Sequence, residues 1–247
     1  MNPIRMRESE ELISILIKQG PFNMFLGAGI SKRLPAGAPT WKEMLNNFLD
    51  ALFDKMSAEG WSAAASFESD AACLSEFGFR PETFWELVVQ ETSLELVCDA
   101  LRVVSLGLPN LNHRSIAHLS SIGSVANIAT TNFDEYIEPL MPQGTLRIVT
   151  EGEWTIAASK RTGQSFKNCY FKVHGTISSV SSLRFTLTHT DKLPTWKAQC
   201  LRKCLDGRPL LVAGYSGNDD DVRPALLEIV SASDGKPHLG LRITRQT

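Results

Sequence analysis

Four short segments of the chain concentrate the residue types that bind phosphate groups or transfer protons. They carry glycines, hydroxyls, an amide, an imidazole and carboxylates, and they are Gly27-Ala28-Gly29-Ile30-Ser31, Thr130-Thr131-Asn132-Phe133-Asp134, His174-Gly175 and Gly214-Tyr215-Ser216-Gly217-Asn218-Asp219. Each follows a short apolar run, which is typical of a loop at the end of a buried strand. Together, and in this order, they predict one nucleotide-binding site assembled from distant parts of the chain.

The first segment, Gly27 to Ser31, has the composition of a phosphate-binding loop. Two glycines and an alanine directly after a strand let the backbone turn tightly and approach a pyrophosphate, whose charge is favoured by unpaired N–H groups. Lys32 stands where the Gly-x-Gly-x-x-Gly fingerprint requires its third glycine. A plain strand-to-helix turn is therefore an open alternative.

Polar residues at the other strand ends are candidates for ligand contact, because ligands of open parallel sheets bind at the carboxyl ends of strands. Asn132 is expected to face the ligand, and Asp134 either faces it or caps a helix. His174 is a candidate general base, since the ordinary pKa of histidine, about 6.5, lies near working pH. Gly214 and Ser216 are candidates for nucleotide contact. Structural roles are expected for the other histidines, which are His113, His118, His189 and His238.

The wider pattern predicts an α/β fold, with a Rossmann-like parallel sheet, helices on both faces and a helical insertion at about 40–121. Apolar runs predict strands at 22–26, 125–129, 146–149, 169–173, 210–213 and 239–243. Helical periodicity predicts helices at 8–19 and at about 133–140, 194–205 and 219–232. Another helix is predicted to begin at a capping box formed by Thr40 and Glu43. Asp219 to Asp221 are expected at the start of the last of these helices, where carboxylates complement the helix dipole.

Composition excludes several other classes of protein. Of the 247 residues 43% are apolar and 21% charged, and the formal net charge of −2 lacks the basic excess of most nucleic-acid binders. No apolar run reaches the ~20 residues of a membrane-spanning helix. The first residues also lack the apolar core of a signal peptide. We therefore expect a cytoplasmic protein that binds neither nucleic acid nor a membrane directly.

The four segments resemble the motifs of the SIR2 superfamily. Three of them match directly: Gly-Ala-Gly-x-Ser at 27–31, Asn-x-Asp at 132–134 and His-Gly at 174–175. The Gly-Tyr-Ser form at 214–216, followed by Asp219 and Asp221, is similar to the SIR2-like branch found in bacterial anti-phage defence proteins. The resemblance spans about residues 22–240, and it implies a single SIR2-like domain over residues 1–247.

Departures from the family pattern indicate which members the chain resembles. Deacetylating members carry paired Cys-x-x-Cys zinc motifs after the His-Gly pair. Between the third and fourth motifs of this chain the only cysteines are Cys200 and Cys204. Neither zinc nor another metal is therefore expected. Residues 32–39 replace the usual Ile-Pro-Asp-Phe-Arg stretch, and Thr131 replaces a glutamine. Both changes disfavour acyl-lysine chemistry.

The resemblance implies NAD+ as substrate and cleavage of its nicotinamide–ribose bond to nicotinamide and ADP-ribose. It implies that Asn132 orients the ribose and the attacking water, and that His174 accepts a proton. The other site residues are expected to bind NAD+. They are Gly27, Ala28, Gly29 and Ser31 at the pyrophosphate, and Thr130, Asp134, Gly214 and Ser216 in the rest of the pocket.

Two other functions stay open from the sequence. One is NAD-dependent protein deacylation or ADP-ribosyl transfer, and the other is a non-catalytic sensor of NAD or ADP-ribose. The resemblance also implies an effector of an anti-phage system that acts as a homo-oligomer, with a separate sensing partner protein, or both. The helical section at about 40–121 is the candidate for such an interface or for a lid over the pocket.

Overall fold

The short apolar runs form one parallel sheet. The computed structural model describes residues 20–60, 80–160, 166–231 and 238–241, together with positions 14 and 18. The strands are β1 (Phe22–Leu26), β2 (Val125–Thr130), β3 (Leu146–Ile148), β4 (Cys169–Lys172), β5 (Leu210–Ala213) and β6 (His238–Leu241). Their order is β3-β4-β2-β1-β5-β6, and each neighbouring pair is parallel. Because the chain pairs β1 with β2 on one side and with β5 on the other, a crevice is expected at the carboxyl ends of these strands.

Helices lie in every connection between consecutive strands except the one from β2 to β3. They are α1 (Trp41–Ala58), α2 (Pro81–Glu91), α3 (Leu94–Leu101), α4 (Leu111–Ser121), α5 (Glu151–Lys160), α6 (Leu187–Thr190), α7 (Thr195–Leu205) and α8 (Arg223–Ser231). The predicted helix at 194–205 is confirmed as α7. The helix predicted at 219–232 begins four residues later than expected, at Arg223.

Alternate residues of the central strand face two different apolar clusters. Met24 and Leu26 of β1 belong to the same cluster as Ile116 of α4. Phe25 of β1 belongs to another cluster, with Leu201 of α7 and with residues of α5 and α8. Since successive side chains of a strand point to opposite faces, helices cover both faces of the sheet. The predicted fold class is confirmed.

The predicted helix at 133–140 is wrong. Residues 131–137 have no helix, and a 3-10 turn follows at Glu138–Leu140. The Asp134 carboxylate accepts hydrogen bonds from Ser31 and Asn132, and its backbone oxygen accepts one from Lys172. These contacts with distant residues hold the segment in an irregular conformation, so Asp134 does not cap a helix here.

Among the described residues between β1 and β2, the section predicted to be helical contains the helices α1 to α4. The capping box at the start of α1 is confirmed, because Glu43 N lies 3.3 Å from Thr40 Oγ1 and Thr40 N lies 2.9 Å from Glu43 Oε2. Trp85 of α2 and Leu101 of α3 share an apolar cluster with Phe185, which follows β4. The helical section therefore packs against a segment at the carboxyl ends of the strands.

Two predicted elements reach beyond the described residues. The helix predicted at 8–19 lies outside them, except for positions 14 and 18, which are helical. The last predicted strand is described only as far as Leu241. None of the helices in the described ranges combines the length and the apolar character that crossing a membrane requires.

Candidate functional site

Strand register brings the four predicted segments to one edge of the sheet. Leu26 at the end of β1 pairs with Thr130 of β2 and with Ala213 of β5. Thr130 in turn pairs with Lys172 at the end of β4. Each segment begins at or just after one of these residues, so all four meet at the carboxyl edge, as the sequence predicts.

Glycines let the first and fourth segments pack backbone against backbone. Gly27 N donates to Ala213 O at 3.0 Å, and Gly29 N donates to Gly214 O at 2.9 Å. Gly214 has a φ of +67°, and a Cβ there would lie 2.6 Å from Ile30 N. The close approach of the two loops therefore requires a glycine at 214, and the two N–H groups are already used in loop packing.

A chain of hydrogen bonds supports the second segment from α4. Asn110 N donates to His113 Nδ1 at 3.1 Å, so the ring proton is on Nε2, which donates to Ser31 Oγ at 3.0 Å. Ser31 Oγ then donates to Asp134 Oδ2 at 2.8 Å. Burial lowers the pKa of His113 below its ordinary value, against the opposing effect of Asp134. The burial of the ring and the Asn110 N–H that Nδ1 accepts therefore both favour a neutral imidazole, which passes one hydrogen bond on to the next.

This support fixes the side chain of Asn132. Asn132 Nδ2 donates to Asp134 Oδ2 at 3.1 Å, which identifies the nitrogen end of the amide because a carboxylate only accepts. Asn132 N donates to Thr130 Oγ1 at 3.1 Å, and that hydroxyl donates to Leu26 O at 3.1 Å. Asn132 Oδ1 is buried and has no hydrogen-bond partner within the described ranges. Since an unpaired buried acceptor is costly, this oxygen is suited to a ligand donor.

His174 lies beside a carboxylate. Its Nε2 is 3.2 Å from Asp221 Oδ2 and 3.3 Å from Asp221 Oδ1, and both side chains are buried. The Phe133 ring lies at a tilt to the imidazole, with the ring centroids 6.5 Å apart. Arg184 N donates to His174 O at 2.9 Å. The position of His174 is therefore fixed by three contacts: a hydrogen bond to its backbone oxygen, the neighbouring Phe133 ring, and the contact of Nε2 with Asp221.

Two buried lysines fasten the backbone next to these side chains. Lys172 donates to Asp134 O and forms a 3.1 Å ion pair with Glu138. Lys197 donates to Val173 O at 2.5 Å, directly before His174. Burial, with the nearby charge of Arg184, lowers the pKa of Lys197 to about 7.

The three acids at 219–221 have three different environments, rather than one shared role at a helix start. Asp219 O accepts the Arg223 N–H at 2.9 Å, and burial raises the pKa of the Asp219 carboxyl above its ordinary value. Asp220 forms an ion pair with Arg80. Asp221 contacts His174 instead of the helix.

A cleft of about 740 Å³ lies over this edge of the sheet, which is the size of typical ligand pockets. Most of the predicted site residues line it: Ala28, Gly29, Ser31, Asn132, Asp134, His174, Gly214 and Ser216. Gly27 and Thr130 are not among the lining residues. Gly27 packs against the fourth segment, and Thr130 positions Asn132.

One wall of the cleft is aromatic. The Trp41 ring centroid lies 5.6 Å from that of Phe133 and 6.2 Å from that of Phe185, both in edge-to-face geometry. Trp41 comes from the helical section, Phe133 follows β2, and Phe185 follows β4. The helical section therefore supplies part of the cleft itself.

The sequence predicted a structural role for His113 but not its partners, and it did not predict that Asp221 belongs to the site. His113 stands three residues after Asn110, at the spacing of a capping pair, and this pattern could have indicated its orientation. Asp221 was expected at the start of a helix. Nothing in the local sequence pairs it with His174, which lies 47 positions earlier.

The described part of the chain contains no group of three or more His, Cys, Asp or Glu residues that could hold a metal ion. Cys200 and Cys204 of α7 are fully buried free thiols. Burial raises the pKa of both thiols, which keeps them protonated in the apolar core. Cys73 lies outside the described residues.

Comparison with known proteins agrees with this geometry. Residues 126–244 match the SIR2-like domain family. Two solved structures share the fold, each at 14% identity. One is a Sir2 homologue in complex with NAD, with a TM-score of 0.53 over 97% of this chain and 84% of that chain. The other is a mutant Sir2 homologue in complex with ADP-ribose, with a TM-score of 0.52 over 94% of this chain and 83% of that chain.

No curated protein matches the chain in sequence. The fold and the cleft define a Rossmann-type α/β protein with a polar site at the carboxyl ends of its strands. The match of residues 126–244 to the SIR2-like domain family confirms the predicted resemblance to the SIR2 superfamily.

Proposed function

We propose that the chain is an NAD+ hydrolase, which cleaves the nicotinamide–ribose bond to give nicotinamide and ADP-ribose. The observation that carries the proposal is the meeting of Asn132 and His174 in one cleft, with an unpaired amide oxygen on the first and a carboxylate partner on the second. The NAD and ADP-ribose complexes of two Sir2 homologues with this fold support it, because these ligands are the substrate and a product of the reaction.

The proposed reaction uses both side chains. The C–N bond between ribose and nicotinamide breaks, and its electron pair moves to the ring nitrogen of the leaving nicotinamide. The ribose carbon becomes oxocarbenium-like, as in glycoside cleavage, and a water oxygen forms the new C–O bond. Asn132 Oδ1 accepts a hydrogen bond from this water or from a ribose hydroxyl. His174 accepts the proton that the water loses.

The pyrophosphate is proposed to lie along Ala28, Gly29, Gly214 and Ser216, all of which line the cleft. Small residues leave the backbone there open to close approach. For Gly27 and Thr130 we propose a supporting role, because neither lines the cleft and both hold residues that do.

The biological role is proposed from the motif resemblance alone. The Gly-Tyr-Ser form at 214–216 is similar to SIR2-like defence proteins, so we propose that NAD+ hydrolysis serves an anti-phage response. In that role the protein would act as a homo-oligomer or with a sensing partner protein.

A second candidate uses an acceptor other than water. The aromatic wall of Trp41, Phe133 and Phe185 adjoins His174 and offers an apolar surface for an acyl-lysine side chain. In that case the ADP-ribosyl group would pass to the acyl oxygen, and NAD+ consumption would depend on an acylated peptide.

Product analysis distinguishes these functions. The purified chain is incubated with NAD+ with and without an acetyl-lysine peptide, and nicotinamide, ADP-ribose and peptide products are separated by chromatography. Equal amounts of nicotinamide and free ADP-ribose without peptide support the hydrolase. Nicotinamide release that requires the peptide favours the second candidate. ADP-ribose binding without nicotinamide release favours a sensor, and the absence of both contradicts the site assignment.

A further inference from the structure

Asp221 stands out because it is turned away from the helix that follows it. The helix α8 begins at Arg223, whose N–H is bonded to Asp219 O rather than to the Asp221 side chain. The Asp221 carboxylate is buried and lies within 3.3 Å of His174 Nε2 through both of its oxygens. A buried carboxylate in this position has a specific contact with the proposed catalytic base.

The contact determines which nitrogen of His174 carries the proton in the neutral ring. A carboxylate only accepts hydrogen bonds, so Nε2 is the donor and Nδ1 keeps its lone pair. Nδ1 has no protein hydrogen-bond partner among the described residues, and His174 lines the cleft. Nδ1, the nitrogen that can accept a proton, is therefore available to a ligand or to water.

We propose that Asp221 is a positioning residue, which holds His174 as the Nε2–H tautomer so that Nδ1 is the base in NAD+ cleavage. This inference rests on the proposed hydrolase function. As the water oxygen bonds to the ribose carbon, its proton passes to Nδ1, and the imidazolium that results keeps its Nε2–H bond to the Asp221 carboxylate. Carboxylates orient and stabilise catalytic histidines in the same way in serine hydrolases.

Other charges surround the pair from three elements. Asp219, on the same loop, is close enough to His174 for their charges to affect each other. Arg184 from the segment after β4 and Lys197 of α7 are both close enough to Asp221 for its charge to oppose the lowering of their pKa values by burial. Because Asp221 also balances these cations, a variant at 221 must be tested for a purely structural effect.

The test compares Asp221→Asn with a matched control, Asp206→Asn. Asp206 is exposed and follows α7, near the amino ends of the strands and away from the cleft. The Asp221→Asn amide can donate to Nε2 and so favour the wrong tautomer. We expect kcat for nicotinamide release to fall about 10²–10⁴-fold, with a much smaller change in KM for NAD+. Asp221→Glu, which keeps the carboxylate, is expected to recover part of kcat, and Asp206→Asn to match the wild type.

Nitrogen-15 NMR of the imidazoles tests the same proposal without turnover. His174→Ala assigns the His174 signals, and the wild type is expected to show the Nε2–H tautomer, which Asp221→Asn shifts toward Nδ1–H. An Nδ1–H tautomer in the wild type, or an unchanged kcat in folded Asp221→Asn, overturns the proposal. If the wild type releases no nicotinamide but shows the Nε2–H tautomer, the hydrolase function fails while the orienting contact stands. If Asp221→Asn does not fold, the wild-type spectrum and Asp221→Glu decide.

Discussion

At the scale of single residues, His113 carries the hydrogen bonds that connect α4 to the site. His113→Phe keeps a ring of similar size but removes the acceptor of Asn110 N and the donor to Ser31 Oγ. Because a buried N–H is then left unpaired, we expect the free energy of unfolding to fall by about 1–3 kcal/mol. Urea unfolding followed by circular dichroism measures the change.

The control for this prediction is His118→Phe, on the same helix but exposed. It is expected to change stability by less than about 0.5 kcal/mol. Equal effects of the two substitutions would show that the chain of hydrogen bonds through His113 adds nothing to stability.

The buried Lys197 is expected to make the free energy of unfolding depend on pH. Burial lowers its pKa from 10.5 to about 7 in the folded chain, so between these values the unfolded chain binds the proton more strongly. The unfolded state binds more protons there, and the free energy of unfolding therefore rises with pH, by up to about 1.4 kcal/mol per pH unit from this group. Below pH 7 the contribution is constant.

Lys197→Met removes this contribution, so the variant's unfolding free energy is expected to rise less steeply than the wild type's between pH 7 and pH 10. The exposed Lys160→Met is the matched control and should keep the wild-type slope. Urea unfolding at several pH values measures all three. Identical slopes for wild type and Lys197→Met would contradict the assigned burial of the ammonium.

Most of the site residues predicted from their types line the cleft, because glycine, amide and imidazole groups at strand ends have recognisable uses. The roles of His113 and Asp221 could not be predicted in this way. Each depends on one partner far away in sequence, Ser31 and His174 respectively. Only the tertiary fold specifies which buried polar groups satisfy each other.

At the scale of elements, hydrogen bonds between the first and fourth segments hold β1 and β5 together at their carboxyl ends. Gly214→Ala adds a Cβ in the left-handed region, 2.6 Å from Ile30 N and 2.9 Å from Gly27 O. We expect a loss of stability greater than the ~1–2 kcal/mol that the backbone conformation alone costs, because backbone atoms must also move apart. Urea unfolding measures the loss.

Gly217→Ala provides the matched control for this loop. Its φ of +82° is also in the left-handed region, but a Cβ there meets nothing within 4 Å. It should therefore show only the cost of the conformation. If Gly214→Ala is no more destabilising than Gly217→Ala, the close packing of the two loops is not what requires glycine at 214.

Strands were predictable from short apolar runs, and the wrong helix at 133–140 shows where such reasoning fails. Its local composition permits a helix, but Asp134 bonds to Ser31 from β1's loop and to Lys172 at the end of β4. These bonds form only when three strands are already in register. Tertiary contacts therefore override the local preference of this segment.

At the scale of the whole molecule, the cleft joins the sheet to the helical section. Trp41 of α1 packs edge-to-face on Phe133 and Phe185 from the strand ends. The order of the four motifs predicted that they would meet at one site. It could not predict that the helical section would provide a wall, because that depends on how amphipathic helices pack on the sheet. The extent of the domain and a role of this section as lid or interface remain predictions.

The central claim is that Asn132 and His174 act together on NAD+ in this cleft. Its most direct test is the rate of nicotinamide release by the wild type, Asn132→Ala and His174→Ala, with the exposed Asn47→Ala and His118→Ala as matched controls. We predict that each site variant loses about 10²–10⁴-fold in kcat while remaining folded, and that both controls keep the wild-type rate. A folded site variant with the wild-type rate would contradict the claim.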